Sequence, residues 1–413
     1  MIAIAWPQPD GPYAVGLLEF ELTDSTRMAA LAPAVTPHRT IKVMAWYPAR
    51  SIRGCFSRRY LQAREADPTV ESVLSMFQAP AEVYHRLQAL ESRSYAGAPV
   101  RPGSHPLLVF CHGMMSYPHQ STILMEHLAS HGYVVLSLGH PYESGGHVLS
   151  DGTVVPLSPA FQAELPKFYR PEALSAYLAP TLSERRRAVP GTLRAVRDTW
   201  PGRLSHTWAD DALFVVDRLE DGLLPANAAF LKDVSDFTRL GYFGMSYGGH
   251  VAALCCMKDP RTKAGANLDG GFFSGEVVGR EVGVPFLAFT GDHLSAQVGP
   301  ISSGSASDGP NAQELAYERW DGTPPAQPVH RIRLRGSLHG DFTDLPVVLH
   351  GAMTIPGFLS GLDPVRLIAA QLDTVRTFFD AYVRIGDRAF PGEIVGRQPE
   401  MLEVIAATPD RSA

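Results

Sequence analysis

The sequence predicts an α/β protein with a mostly parallel central sheet and helices on both faces, and two observations carry that prediction. Continuous apolar runs such as LLVFC at 107–111 and YVVLSL at 133–138 are typical of strands that are buried on both faces of a parallel sheet. Segments with apolar residues at helical spacing alternate with these runs along the chain. Such alternation indicates a parallel sheet that is covered by helices.

The first elements are two segments whose polar and apolar residues alternate as in strands, YAVGLLEFEL at 13–22 and TIKVMAWY at 40–47. Apolar residues at helical spacing then predict helices at 69–78 and 83–90. We expect both helices to pack on the core, with a membrane-docking face as the alternative. These elements form the N-terminal part, residues 11–95, of a single domain that spans 1–413.

From residue 107 onward, strands and helices alternate more regularly. The predicted strands are 107–111, 133–138, 239–244, 264–268, 284–290 and, as the last, 330–336. The predicted helices are 121–131, which Gly132 closes, 209–219 and 248–258.

Two long stretches interrupt this alternation. Residues 156–206 are rich in Pro, Arg and aromatic residues, and residues 293–328 are rich in Ser, Gly, Pro and Ala. Connections of that length are uncommon unless they are lids, binding loops or disordered. We therefore predict a cap over the site at about 156–206, with helical pieces at most, and a mobile loop at about 293–328. A frayed tail is expected from about 396.

Composition excludes several classes of protein. Of the 413 residues, 45% are hydrophobic and 19% are charged, so the chain is not of the disordered class. The net charge of −6 offers no basic excess for phosphates, and we expect no nucleic-acid partner. Four cysteines are too few for a disulfide framework. The sequence has no signal peptide or apolar run of membrane-spanning length, so no stable membrane insertion and a cytoplasmic location are expected.

The strongest motif is GMSYGG at 244–249, which contains the G-x-S-x-G pattern around Ser246. A predicted strand runs into it and a predicted helix leaves it, which is the arrangement of the nucleophile elbow in the α/β-hydrolase fold. In such a tight turn, small residues flank the serine and its hydroxyl is exposed at the carboxyl end of the sheet. We therefore predict an α/β-hydrolase fold with Ser246 as the nucleophile.

A serine nucleophile requires a general base and an acid, in the chain order Ser, Asp or Glu, His. His339 follows the strand 330–336, where a loop would return it over Ser246, and we assign it as the base. Asp269 ends the strand 264–268 and Asp292 ends the strand 284–290. Either carboxylate fits the position of the acid, and the residues alone leave this choice open.

Backbone N–H groups are the expected donors to a developing oxyanion. One should come from Tyr247, which follows the nucleophile. The other should come from the loop VFCHGMM after the strand 107–111, with Met114 as the donor. His140, which ends a predicted strand at its carboxyl side, is a candidate pocket residue, and so are His112 and Met245.

Several of these strings resemble the platelet-activating-factor acetylhydrolases and their dienelactone-hydrolase-like bacterial relatives. The resemblance rests on LLVFCHGMM, LASHGYVV, GMSYGG, LDGG and GSLHGDFTD, and it covers roughly residues 11–150 and 205–345. It implies Ser246 as nucleophile, Asp269 rather than Asp292 as acid and His339 as base. It also implies Met114 and Tyr247 as oxyanion donors. Two departures concern the substrate: Met245 stands where such enzymes usually carry His, and LDGG replaces bulkier residues after the acid.

The sequence thus predicts a serine hydrolase that cleaves a carboxylic ester with a small acyl or alkyl group through an acyl-enzyme. An acyltransferase or lactone-forming enzyme would use the same intermediate, and a non-catalytic binding module on this fold is a third hypothesis. We expect a small-molecule ester as partner and no cofactor.

Seven histidines lie within 105–147, and His127 and His131 are four residues apart on a helix. Because HExxH is absent, with Leu128 after His127, we predict no metal. The oligomeric state is left open.

Overall fold

The computed structural model describes residues 6–32, 37–65, 68–69, 81–292, 315–384 and 390–405. The predicted helix 69–78 lies almost wholly outside these residues, and so does the segment 293–314 of the predicted long loop. The described chain divides into two units. The first comprises Met1–Gln162, Asp210–Leu240 and Thr343–Ile355, and the second comprises Ala163–Ala209, Gly241–Phe342 and Pro356–Ala413.

Thirteen strands are found in the described part of the chain. They are β1 (Ala14–Met28), β2 (His38–Ala49), β3 (Ser57–Arg59), β4 (Glu91–Ala96), β5 (His105–Cys111), β6 (Val134–Gly139), β7 (His147–Val148), β8 (Val154–Val155), β9 (Ser235–Met245), β10 (Thr262–Leu268), β11 (Phe286–Gly291), β12 (Val329–Leu334) and β13 (Leu402–Val404).

The α-helices in the described part of the chain are also numbered in chain order. They are α1 (Ala81–Ala89), α2 (Thr122–Ser130), α3 (Pro159–Gln162), α4 (Pro171–Leu178), α5 (Leu182–Arg197), α6 (Trp200–Asp221), α7 (Phe230–Val234), α8 (Tyr247–Lys258), α9 (Leu345–Val348), α10 (Pro364–Tyr382) and α11 (Gly392–Arg397). Short 3₁₀ turns occupy Leu165–Tyr169 and His339–Phe342. None of the helices in these ranges is long and apolar enough to cross a membrane.

In the first unit the strands lie in the order β5-β6-β2-β1-β4-β3. β5 and β6 are parallel, and every residue of both strands is buried, because apolar side chains point to both faces. β2 is antiparallel to β6 and to β1. The second unit has the order β13-β12-β11-β10-β9, in which β10, β11 and β12 are mutually parallel. The predicted α/β class is confirmed.

The apolar runs locate most of the core strands within two or three residues. Five other strands, β3, β4, β7, β8 and β13, were not predicted, and neither was α10. The segment 330–336 is not the last strand, because β13 pairs antiparallel with β12 through Leu334 and Leu402. The expectation of a frayed tail from about 396 is therefore wrong for 402–404. The five strands that were not predicted have two to six residues, which is too few to show a clear alternation of polar and apolar residues.

Helices fill the segment that we predicted as a cap. Residues 156–206 hold α3, α4, α5 and the first turns of α6. α5 begins with a reciprocal capping box between Thr181 and Glu184, a local signal for a helix start. Pro190 lies inside this helix. Whether the segment acts as a cap stays a prediction.

α2 is capped by a residue from a distant part of the chain. Its own N-cap residue, Ser121, makes no side-chain cap. The carboxylate of Asp344 accepts the backbone N–H groups of Thr122 at 2.6 Å and Ile123 at 3.2 Å. These are two of the N–H groups that the first turn of a helix leaves without a partner. Burial raises the pKa of Asp344 well above its usual value.

Candidate active site

The turn between β9 and α8 holds Ser246 in an uncommon backbone conformation. Its φ is 56° and its ψ is −120°, a region that residues with a side chain adopt only when their surroundings impose it. Ser246 N–H donates to Leu268 O at 2.8 Å, and Gly249 N–H donates to Ser246 O at 3.0 Å. These bonds fix the turn against the end of β10 and against the helix that follows.

Two glycines permit the close approach that this turn requires. A Cβ on Gly249 would lie 2.0 Å from Asn267 Oδ1, and a Cβ on Gly270 would lie 2.1 Å from Ser246 O. Asn267 Oδ1 also accepts Gly270 N–H at 2.7 Å, and its Nδ2 donates to the hydroxyl of Tyr317. Asn267 therefore sets the turn that follows β10. Asn267 was not among the predicted site residues, although it stands two residues before Asp269 in ANLDGG.

Ser246, His339 and Asp269 form one hydrogen-bonded chain in the second unit. His339 Nε2 lies 2.9 Å from Ser246 Oγ, and His339 Nδ1 lies 2.6 Å from Asp269 Oδ2. The other oxygen, Asp269 Oδ1, accepts Gly291 N–H at 2.8 Å. Asp269 is 3% exposed, whereas the His339 side chain is 15% exposed. A hydrogen-bonded chain of this kind can join a nucleophile, a base and an orienting acid, and these roles stay a prediction for the three residues.

Asp292, the alternative acid, has other partners. Its Oδ2 accepts Gly336 N–H at 2.7 Å, and its Oδ1 lies 3.8 Å from Arg333 Nη1. Both partners belong to the end of β12 and the turn that follows it. The hydrogen bonds of the described residues therefore bring Asp269, and not Asp292, to His339.

A second carboxylate shapes the turn that carries His339. Asp341 Oδ2 accepts Leu338 N–H at 2.7 Å, and the same carboxylate accepts Ser360 N–H. Burial raises the pKa of Asp341 above its usual value, and the nearby charge of Asp269 acts in the same direction. Asp341 was not among the predicted site residues. Its position two residues after His339, where an Asp closes a short turn, was the available signal.

The two predicted oxyanion donors belong to different units. Tyr247 is the first residue of α8, and its hydroxyl donates to Pro201 O at 2.6 Å. Its buried ring packs edge-on against Trp208 and Phe273. Met114 lies in the turn after β5 and is half-buried. The joint role of the two backbone groups stays a prediction.

The three candidate pocket residues are buried. Met245, the last residue of β9, is 2% exposed. His112 Nε2 lies 2.7 Å from Ser144 Oγ, and His140 Nδ1 lies 2.7 Å from Asp211 Oδ2. Burial lowers the pKa of both imidazoles, that of His112 well below its usual value. Contact with a substrate stays a prediction for all three.

His140 belongs to a buried ion network that the sequence did not predict. Arg39 donates to both oxygens of Glu143 at 2.7 and 2.8 Å, and to both oxygens of Asp211 at 2.7 Å. Arg39 is 1% exposed, and the side chains of the two acids are 0% exposed. A buried ion pair of this kind is costly to break, because removal of one partner leaves the other charge buried alone.

The fold and the turn at Ser246 define the chain as an α/β-hydrolase-fold protein. A solved structure, the ferulic acid esterase from Streptomyces cinnamoneus, superposes with a TM-score of 0.70 at 22% sequence identity, over 97% of this chain and 98% of that chain. The Chlorophyllase family model matches residues 82–139, which run from α1 to the end of β6. No curated protein matches the chain. The narrower resemblance to platelet-activating-factor acetylhydrolases stays a prediction.

Proposed function

We propose that the chain is a serine carboxylic ester hydrolase. The observation that carries the proposal is the hydrogen-bonded chain from Ser246 Oγ through the His339 imidazole to the Asp269 carboxylate. Two comparisons support it, because one names an esterase and the other matches the Chlorophyllase family model over part of the first unit. The chain order Ser, Asp, His is also that of the α/β-hydrolases.

In the first half of the proposed cycle, Ser246 Oγ attacks the ester carbonyl while His339 Nε2 takes its proton. Asp269 holds the imidazole with its proton on Nδ1 and stabilises the imidazolium that forms. Collapse of the tetrahedral intermediate breaks the bond to the alcohol, which leaves with the proton from His339. The acyl group then remains on Ser246.

In the second half, His339 Nε2 takes a proton from water as the water oxygen attacks the acyl carbonyl. Collapse of this second intermediate breaks the bond to Ser246 Oγ, which takes the proton back from His339 as the acid is released. The backbone N–H groups of Met114 and Tyr247 are the proposed donors to the oxyanion in both halves. Tyr247 N–H lies at the start of α8, where the helix dipole favours negative charge. These steps use no metal or organic cofactor.

The proposed substrate is a small-molecule ester with a short acyl or alkyl group, as the resemblance to platelet-activating-factor acetylhydrolases implies. A second candidate, an ester of an aromatic acid, is favoured by the rings near Asp269 and His339. Phe358 lies edge-on to the His339 ring at 5.8 Å between centroids. Tyr177 of α4 stacks on Phe272 at 5.2 Å. The esterase of similar fold is named for ferulic acid, which is aromatic.

The test is hydrolysis of p-nitrophenyl esters from acetyl to dodecanoyl, and of methyl ferulate, by the wild type and by Ser246→Ala. Ser51→Ala, which changes an exposed serine just after β2, is the matched control. We expect turnover in the wild type and the control and none above background in Ser246→Ala. Full activity in Ser246→Ala would refute the proposal.

The preferred ester then identifies the substrate class. A maximum at acetyl to butyryl supports the short-chain proposal, whereas preference for methyl ferulate supports an aromatic acid. A preference for long chains contradicts both. Product analysis with an added alcohol or amine separates hydrolysis from acyl transfer, since a transferase would form the new ester or amide in place of the acid.

A further inference from the structure

The first residues of the described chain are fastened along α2. Trp6 Nε1 donates to Glu126 Oε2 at 2.8 Å, and Gly11 N–H donates to Ser130 Oγ at 3.2 Å. Tyr13 N–H donates to Ser130 O at 3.1 Å. A Cβ on Gly11 would lie 2.3 Å from the carbonyl carbon of Ser130, so this approach requires glycine. The segment is therefore held against the helix by the Trp6 side chain before Asp10 and by backbone N–H groups after it.

This arrangement brings three metal-binding side chains together in the first unit. Asp10 Oδ1 lies 2.9 Å from His131 Nε2 and 3.0 Å from His127 Nδ1. One ligand atom from each of the three residues lies within 4.8 Å of the others. The histidines are four residues apart, so both imidazoles lie on one face of the helix end. The side chain of His127 is 4% exposed, and that of Asp10 is 70% exposed.

We propose that Asp10, His127 and His131 bind a divalent transition-metal ion of the zinc class. Two imidazole nitrogens and one carboxylate oxygen are a donor set that Zn²⁺, Cu²⁺ and Ni²⁺ accept, whereas Mg²⁺ and Ca²⁺ require mostly oxygen ligands. Three protein ligands leave a fourth tetrahedral position, which a water molecule would fill.

The two distances from Asp10 need only a small adjustment to hold the ion, and the two imidazole nitrogens lie within 4.8 Å of each other. With ligands at about 2.0–2.1 Å from zinc, tetrahedral geometry separates the ligand atoms by roughly 3.3 Å. The two distances from Asp10 Oδ1 are 2.9 and 3.0 Å, so each must lengthen by about 0.3–0.4 Å. The exposed Asp10 side chain can supply that movement while Trp6, Gly11 and Tyr13 keep their bonds to α2.

From the sequence we predicted no metal, because HExxH is absent. Asp10, the third ligand of the proposed site, lies 121 residues before His131 in the chain, so no local sequence motif contains all three ligands. The bound ion would fasten the N-terminal segment to the end of α2. This proposal is independent of the proposed esterase function, because Ser246, Asp269 and His339 belong to the second unit.

The test is a calorimetric titration of the full chain with Zn²⁺ after removal of metal by a chelator. The variants are Asp10→Ala and His131→Ala, and the matched control is His38→Ala, which removes another exposed histidine. We expect one Zn²⁺ per chain in the wild type and the control, and binding at least tenfold weaker in each variant. Co²⁺ should give a visible absorption band in the wild type that both variants lose, and Mg²⁺ should not bind.

The outcomes separate the metal site from a simple ion pair. Wild-type protein that takes up no Zn²⁺ would overturn the proposal, since the three side chains would then form only a hydrogen-bonded cluster. Equal binding by wild type and Asp10→Ala would also overturn it, because the ion would lie elsewhere. Asp10→Ala is the decisive variant, since its exposed side chain can be removed without opening a cavity in the core.

Discussion

The choice between Asp269 and Asp292 can be tested by one conservative change at each position. In Asp269→Asn, the amide must place its oxygen where Asp269 Oδ1 now accepts Gly291 N–H at 2.8 Å. The amide NH₂ is then forced toward His339 Nδ1, which lies 2.6 Å from Asp269 Oδ2. The imidazole responds by accepting at Nδ1 and carrying its proton on Nε2, the atom that must take the proton of Ser246.

The wrong tautomer leaves the fold intact but removes the base. Loss of the equivalent carboxylate in another serine hydrolase lowers the rate by about 10⁴, which corresponds to roughly 5.5 kcal/mol of transition-state stabilisation. We expect a loss of that order in kcat for Asp269→Asn with a p-nitrophenyl ester. Asp292→Asn, whose side chain bonds Gly336 N–H instead, should lose less than about tenfold in rate, or about 1.4 kcal/mol.

Circular dichroism and thermal melting would show whether both variants fold like the wild type. If folded Asp269→Asn keeps kcat within tenfold of the wild type, the tautomer argument is wrong. If Asp292→Asn loses the larger factor, the acid is Asp292. A rise in the activity of Asp269→Asn at high pH would agree with a base in the wrong protonation state.

Two further predictions concern stability. Gly249→Ala should lower the free energy of unfolding by about 2 kcal/mol or more, because its Cβ would lie 2.0 Å from Asn267 Oδ1. The control is Gly396→Ala, since no atom lies within 4 Å of a Cβ at that position. Equal denaturation midpoints for the two variants would contradict the prediction. Burial, with a smaller effect of His206, lowers the pKa of His250 to about 3. The contribution of the neutral His250 side chain to stability is therefore complete above the unfolded pKa of about 6.5, and it is lost between about pH 6.5 and 3 as the pH falls. From pH 7 to 5 this costs about 2 kcal/mol, and urea unfolding of His250→Gln should show a smaller loss over that range than the wild type.

The sequence predicted the parts of the fold whose signals are local. LLVFC and YVVLSL became β5 and β6 because continuous apolar runs bury both faces of a parallel strand. GMSYGG identified the turn between β9 and α8, because its small residues allow the close approach of strand and helix. The predicted strand ends also located Ser246, Asp269 and His339, which are hydrogen-bonded to one another in the structure.

What the sequence did not predict depends on contacts between distant residues. The residues alone left the acid open, because an aspartate directly follows both β10 and β11. The buried ion pair between Arg39 and Asp211 joins residues 172 positions apart, and neither belongs to a motif. The short strand β13 has three residues and exists because β12 offers an edge to pair with.

The cap of α2 has a consequence for how the protein folds during synthesis. The helix starts at Thr122, yet the carboxylate that satisfies its first N–H groups belongs to Asp344, 222 residues later. A ribosome at about 5–20 residues per second makes that partner roughly 10–40 seconds after the helix. Until then Thr122 N–H has only its local acceptor, His119 O at 3.1 Å, and Ile123 N–H lacks the carboxylate, so the nascent first unit is expected to remain incomplete. Completion of that unit requires the segment Thr343–Ile355, which is synthesised long after the helix.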